Sequence, residues 1–136
     1  MAYVSRGFIP QTSLASNLGF TRPMYIPAGN ATATALYDIV KVSTSGSTVD
    51  TAGVPAGLMG CVRVSDKDDV PCGVIVGFIA DPDYLNQTYR SASTARVALV
   101  NYDPQVVLEA QEDDNGTTLA VARIGTPVDL VPGSID

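Results

Sequence analysis

Six carboxylates in two tight clusters are the residues of this chain most able to do chemistry: Asp66, Asp68 and Asp69 in one, Glu112, Asp113 and Asp114 in the other. A glycosidase would need one acid with a raised pKa facing a second carboxylate across a cleft. A hard cation such as calcium would instead take oxygens crowded into one loop. Both clusters fall in expected turns between apolar runs, where solvated acids keep strands soluble and apart, and the Asp66-Lys67-Asp68-Asp69 spacing does not match an EF-hand. The chain contains no histidine, which removes the commonest general base, the Ser-His and Cys-His nucleophile pairs and the usual zinc ligand. Gly53 to Gly60 is rich in glycine, yet no Lys and no helix follow it, so a phosphate-cradling loop is not supported. The expectation is a protein without catalytic residues, metal or cofactor.

Other reactive or adhesive side chains are few. Cys61 and Cys72 could pair across neighbouring strands, but at this spacing and without a signal peptide they read as small buried core residues. Three Asn-x-Thr triplets, at Asn30, Asn86 and Asn115, are matches that a Thr-rich chain produces by chance. Tryptophan is absent and aromatic residues make up only 7%, which argues against a sugar-binding face. Tyr84, Tyr89 and Arg90 share one polar stretch, where they would either anchor an interface, as Tyr and Arg often do, or merely decorate a loop.

Charge narrows the partners further. Eight basic residues against fourteen acidic ones give a formal net charge of −6, and the cations are scattered from Arg6 to Arg123. Nucleic acid and anionic membrane surfaces both need clustered cations, so neither is expected. No stretch approaches the ~20 apolar residues of a membrane span. Met1 to Arg6 lacks the basic and apolar regions of a signal peptide, so the protein is expected to act where it is made.

The elements that must position these residues are strands. With 136 residues, 46% apolar and 16% charged, the chain can build the core of one domain. Residues 1–30 have no usable period: Pro10, Pro23 and Pro27 interrupt them, yet they carry Tyr3, Phe8, Ile9, Leu14, Leu18, Phe20 and Tyr25. They read as an extended N-terminal arm that lies along its own domain or a neighbour, ahead of a single β domain over 31–136. Strands are expected at Leu36 to Val42, Leu58 to Val64, Gly73 to Ala80, Ala95 to Asn101 and Gln105 to Gln111. The apolar run at Gly73 is the candidate central strand, and a long loop follows between Pro82 and Thr94. Asn115-Gly116 is a hairpin signal, with Thr117 to Ile124 returning as partner strand and a short run at Val128 to Val131. Short strands with no amphipathic helix point to an all-β sandwich, jelly-roll-like fold or small barrel.

One segment resembles a known family. Asp103-Pro104 makes a corner, Leu108-Glu109-Ala110-Gln111 a short strand with an apolar-Glu-x-Gln pattern, and Glu112-Asp113-Asp114 an acidic turn. This order is similar to the head decoration, or cement, proteins of tailed bacteriophages. The apolar run Gly73 to Phe78, the polar loop and Ala95 to Val100 also look like that family's layout, although Leu108 stands where an aromatic is more usual. The resemblance implies a jelly-roll-like or sandwich protein, made in the host cytoplasm. It would bind the outside of a capsid, bridge neighbouring major capsid proteins and associate with itself as dimers or trimers. The arm residues Tyr3, Phe8, Ile9, Leu14, Leu18, Phe20 and Tyr25, together with Tyr84, Tyr89 and Arg90, are the expected partner contacts. The rival readings are a ligand- or carbohydrate-binding β module of a larger structural protein, and a hydrolase with paired acids.

Overall fold

The structure is a computed structural model that describes residues 7–14, 20–47, 54–110 and 120–127. Among the described residues seven strands follow one another: β1 (Phe8–Ser13), β2 (Thr21–Ile26), β3 (Ile39–Ser43), β4 (Gly60–Arg63), β5 (Gly73–Phe78), β6 (Arg96–Asn101) and β7 (Val106–Ala110). Five of them close into a barrel in the order β2-β4-β3-β5-β6, while β1 and β7 form a separate two-stranded ribbon. Of the architectures the sequence left open, the chain thus adopts the small barrel.

Every barrel strand sends apolar residues inward. Met24 and Ile26 from β2, Val40 from β3, Cys61 from β4, Ile75 from β5, and Ala98 and Val100 from β6 form one buried cluster, against which Cys72 and Phe78 pack. Residues alternate between the two faces of a strand, so Ile39 and Val74, which pair across β3 and β5, point outward. There they join Val64 in a second buried cluster covered by Phe8, Tyr37 and Leu108. Phe8 comes from β1 and Leu108 from β7, so the ribbon lies over the barrel's outer wall. That arrangement explains why Gly73 to Phe78 is apolar on both faces: one faces the barrel interior and the other faces the ribbon.

Two strands pack backbone against backbone. A Cβ at Gly73 would overlap the Asn101 carbonyl oxygen, and one at Gly60 would overlap that of Ser45; only glycine allows both approaches. The β4 to β5 connection carries the chain past β3, because both strands run antiparallel to it. Lys41 on β3 pins this crossover through a 2.6 Å ion pair with Asp69.

The N-terminal segment differs from the expected arm. Thr21–Ile26 is a barrel strand, matched residue for residue against β6 from Thr21↔Asn101 to Ile26↔Arg96, so the division after residue 30 does not separate arm from domain. Pro23 hides this strand in the sequence. Tyr25 donates its N–H to the Met59 carbonyl at 2.8 Å. Pro23, two residues earlier, turns its nitrogen the same way, toward a side on which β2 and β4 pair only at Tyr25↔Gly60, and a missing donor there breaks no ladder bond. β3 begins at Ile39 and not at Leu36, because Tyr37 takes a positive φ of 68° in a turn where Ala35 N–H donates to Asp38 Oδ2 at 2.9 Å. The expected return strand from Thr117 is also revised: Val121–Arg123 is a 3-10 turn, and β7 pairs with β1. The expected hairpin turn at Glu112 to Gly116 and the run at Val128 to Val131 lie outside the described residues.

Candidate functional site

The barrel's two ends carry exposed aromatic residues, and they are built differently. At one end, the long loops 27–38 and 79–95 meet across an isolated bridge between Thr34 and Arg90. Arg90 is fully buried, at 0% exposure. Its guanidinium donates to the carbonyls of Thr94 (2.7 Å), Thr32 (2.6 Å), Pro27 (2.9 Å) and Asn30 (2.8 Å), and to Asn30 Oδ1 at 3.4 Å. All five of its N–H groups are therefore used, and among the described residues it makes no ion pair with a carboxylate. Burial lowers its pKa from the ordinary value, against the smaller influence of Tyr25 and Cys61. Arg96, also buried, donates to the carbonyls of Tyr89, Gln87 (3.0 Å) and Ile79 (3.4 Å), and its guanidinium lies 4.9 Å from the centre of the Phe78 ring.

The result is a loop without helix or strand whose backbone is tied from inside by two arginines. Turns at Asp81–Tyr84 and Tyr84–Gln87 are each closed by a 3.1 Å hydrogen bond, and the Asp83 N–H donates to Asp81 Oδ1 at 3.0 Å. This frame presents Tyr84 (63% exposed), Leu85 (75%) and Tyr89 (48%) to solvent.

At the other end, Phe20 enters β2 and Tyr102 leaves β6, joined by a 2.9 Å hydrogen bond from the Tyr102 N–H to the Phe20 carbonyl. Their rings are 6.3 Å apart, and the Arg22 guanidinium lies 5.5 Å from the Tyr102 ring centre. Phe20 and Tyr102 are about half exposed, and the β2–β6 ladder of six residue pairs sets the two ends about 17 Å apart. Close to Tyr102, the buried carboxylate of Asp103 accepts a hydrogen bond from Ser13 Oγ at the end of β1 and another from the Gln105 N–H at 2.9 Å. The Asp103-Pro104 corner is thus the latch of the ribbon.

The expected contacts divide accordingly. Tyr84 and Tyr89 share the loop end, and Phe20 belongs to the opposite one. Leu14 is exposed just past β1, its N–H bonded to the Gln105 carbonyl at 3.0 Å. Phe8, Ile9 and Tyr25 are half-buried within strands, and Phe8 is committed to the chain's own second core. Arg90 is corrected outright: it is an internal staple and not a surface anchor, because its position brings it under carbonyls from two loops. Tyr3 and Leu18 lie outside the described residues. Sequence reasoning misses Arg22, Tyr102 and Leu85, since only the β2–β6 register brings Arg22 and Tyr102 together.

The acidic loop and the cysteines serve the fold. Asp69 Oδ2 accepts the N–H groups of Ser65 and Asp66, each at 3.0 Å. With the hydrogen bond from Lys41 as the largest cause, these hold its carboxyl down at about 2. Among the described residues, no group of three or more Cys, Asp or Glu is placed to hold a metal ion, and no helix is long and apolar enough to cross a membrane. Cys61 and Cys72 are free thiols, and burial pushes Cys61 up to about 12, a range in which a thiol is a poor nucleophile at neutral pH. Compared with known proteins, the chain matches no family, no curated protein and no solved structure.

Proposed function

We propose that this protein is a structural binding protein of the decoration type, which attaches to the outer surface of a phage head and bridges neighbouring major capsid proteins. The observation that carries this reading is the pair of exposed aromatic surfaces fixed at opposite ends of one closed barrel. A rigid unit with two separated contact surfaces can hold two neighbours at once. Engaging the second surface after the first is then an intramolecular event, which raises effective concentration and lets modest contacts add up. Tyrosine, phenylalanine and an adjacent arginine are side chains that supply binding energy at low conformational cost. The resemblance of Asp103 to Asp114 to the cement proteins names the class of assembly. Acidity agrees with a place on the outside of a shell, away from the packaged nucleic acid.

The test is cosedimentation with assembled heads that lack the protein. Exchanging Phe20 and Tyr102 for Ser at one end, or Tyr84 and Leu85 for Ser at the other, is expected to weaken decoration at least tenfold, and combining the two to abolish it. A four-fold variant that remains folded and still decorates heads as the wild type does would refute the proposal. The ribbon is tested separately by removing residues 1–14, because a longer deletion through residue 22 would cut into β2 and damage the barrel itself.

A further inference from the structure

Continued in regular register before Ile39, β3 would carry an acid into the barrel. It pairs with β5 at Ile39↔Val74 and Val40↔Gly73, so Asp38 would come to face Ile75, which belongs to the interior cluster. A bulge prevents this. The Tyr37 N–H donates to the Ile75 carbonyl at 2.8 Å, and the Ile75 N–H donates to the Asp38 carbonyl at 3.0 Å, so two residues oppose one. Asp38 turns instead to Arg63, whose Nε lies 3.5 Å from its Oδ2. The first residue of such a bulge is left-handed and usually glycine. Here it is Tyr37, at φ 68°, a strained place for a bulky side chain. Its carbonyl accepts the Phe8 N–H at 2.9 Å, and its side chain packs on Ile39, Val64 and Val74 beside Phe8 and Leu108. The barrel thus offers a clasp to one end of the ribbon.

That end of the ribbon, its tip, is held more weakly than the other. Gly7 lies so close to the clasp that a Cβ there would stand 2.7 Å from the Tyr37 carbonyl oxygen, and the tip is held by a backbone hydrogen bond and apolar contact. At the root, three bonds converge: Ser13 Oγ to the Asp103 carboxylate, the Gln105 N–H to the same carboxylate, and the Leu14 N–H to the Gln105 carbonyl. Both links from the ribbon to barrel strands, Ser13 to Thr21 and Asn101 to Val106, also leave from the root. Between root and tip the β1–β7 register shifts between Pro10 and Thr12, and Pro10 has no N–H to give. We infer that the tip, Phe8 to Pro10 with Leu108 to Ala110, is a flap that bends at Gln11 and lifts from Tyr37 while the root stays shut. Lifting uncovers the wall formed by Ile39, Val64 and Val74. Because β3 and β5 make the bulge themselves, the clasp persists when the flap is up, and reclosure orders only the tip. The flap uses none of the exposed aromatic residues at the barrel ends, so it stands apart from the bridging function.

Amide exchange of the full chain, with and without Gly7→Ala, tests this. In the wild type, Phe8, Ile9 and Glu109 should exchange about tenfold faster than Val107 and Leu14, which lie beyond the register shift. Gly7→Ala, which drives a methyl against the clasp, should speed the tip about tenfold more and leave the root and the barrel amides Val97 to Val100 unchanged. Phe8→Ala, which removes only the covering ring, should act in the same direction and serves if Gly7→Ala does not fold. The wall is read through Val64→Cys and a thiol reagent, with the modified peptide located by mass spectrometry so that Cys61 and Cys72 are scored separately. Labelling at position 64 should rise with Gly7→Ala by the same factor as exchange at the tip, while labelling of Cys61 does not. Equal acceleration of tip and root would overturn the inference, and so would a position 64 that stays as protected as Cys61 when the tip exchanges. Decoration of heads by the same variants is measured separately, so failure of the flap leaves the bridging function standing.

Discussion

The loop from Ile79 to Ala95 and the β1–β7 ribbon face the same difficulty by different means. Each is a segment outside the barrel's ladders that must be held in one place. The loop is held by guanidinium groups reaching from inside to backbone carbonyls, while the ribbon is held by its own ladder, by Phe8 and Leu108 on a small apolar patch, and by one side-chain latch. A buried charge with all its donors engaged is costly to disturb, since any movement leaves groups unsatisfied in a low-dielectric interior. An apolar patch gives way more gradually. The loop and barrel should therefore unfold together, whereas the ribbon can open alone.

The largest expected effect breaks the loop side of this contrast. Arg90→Met keeps much of the side chain's volume but removes five hydrogen bonds at once, taking from the Thr94 carbonyl its guanidinium donor and leaving those of Pro27, Asn30 and Thr32 with the Asn30 N–H, the Ser93 N–H and the Thr34 hydroxyl. The expected loss is on the order of 3 kcal/mol, seen as a melting temperature lower by roughly 10 °C. Survival of the variant with unchanged melting would mean that the staple is not what holds this end.

A smaller effect sharpens the ribbon side. Asp103→Ala removes the acceptor of Ser13 and of the Gln105 N–H, at an expected cost of about 1–3 kcal/mol. Amide exchange should accelerate in Ile9 to Ser13 and Val106 to Ala110 while the amides of Val97 to Val100 stay protected. Equal acceleration in both sets would show ribbon and barrel to be one cooperative unit.

The smallest effect uses pH. The Arg90 acceptors are carbonyls and an amide, which do not titrate, so acid should spare the loop end. The Asp69 carboxyl is held at about 2 against an ordinary 3.8, so its folded pKa is depressed. Its stabilisation is present above about pH 4 and is lost as pH falls toward 2. Asp38, whose carboxyl is raised by burial, acts in the opposite sense, because its protonation favours the folded form. Comparing the wild type with Asp69→Asn isolates the first group: the gap in melting temperature should be constant from pH 7 to about 4 and close by pH 2. A gap that persists at pH 2 would show that the Lys41–Asp69 pair is not the acid-sensitive contact.

Much of the strand content is legible in the amino-acid sequence alone. Val74, Ile75, Val97 and Val100 lie in dense β-branched runs bounded by turn residues, and such runs announce themselves locally. Thr21–Ile26 does not, because Pro23 in its middle reads as a break unless the side of the strand that lacks a partner is known. Of the return strand expected over Thr117 to Ile124, the described part is a 3-10 turn at Val121–Arg123, and the strand that does pair with β7 is β1, about a hundred residues earlier in the chain, which no local turn signal can announce. In the candidate site, the exposed Tyr84 and Tyr89 are visible from their polar surroundings. Arg90 next to them is misjudged by the same reasoning, since an arginine's side of a loop leaves no mark on sequence spacing.

What could be read without tertiary structure was therefore the class of fold and the residue types available to it: short apolar strands, the lack of histidine and the scattering of the cations are properties of composition and near neighbours. The tertiary structure alone decided the closure of the barrel, the inward turn of Arg90 and Arg96, and the meeting of Arg22 with Tyr102. Each of these depends on register between segments far apart in the chain. A one-residue slip in that register would send the same side chain to the opposite face.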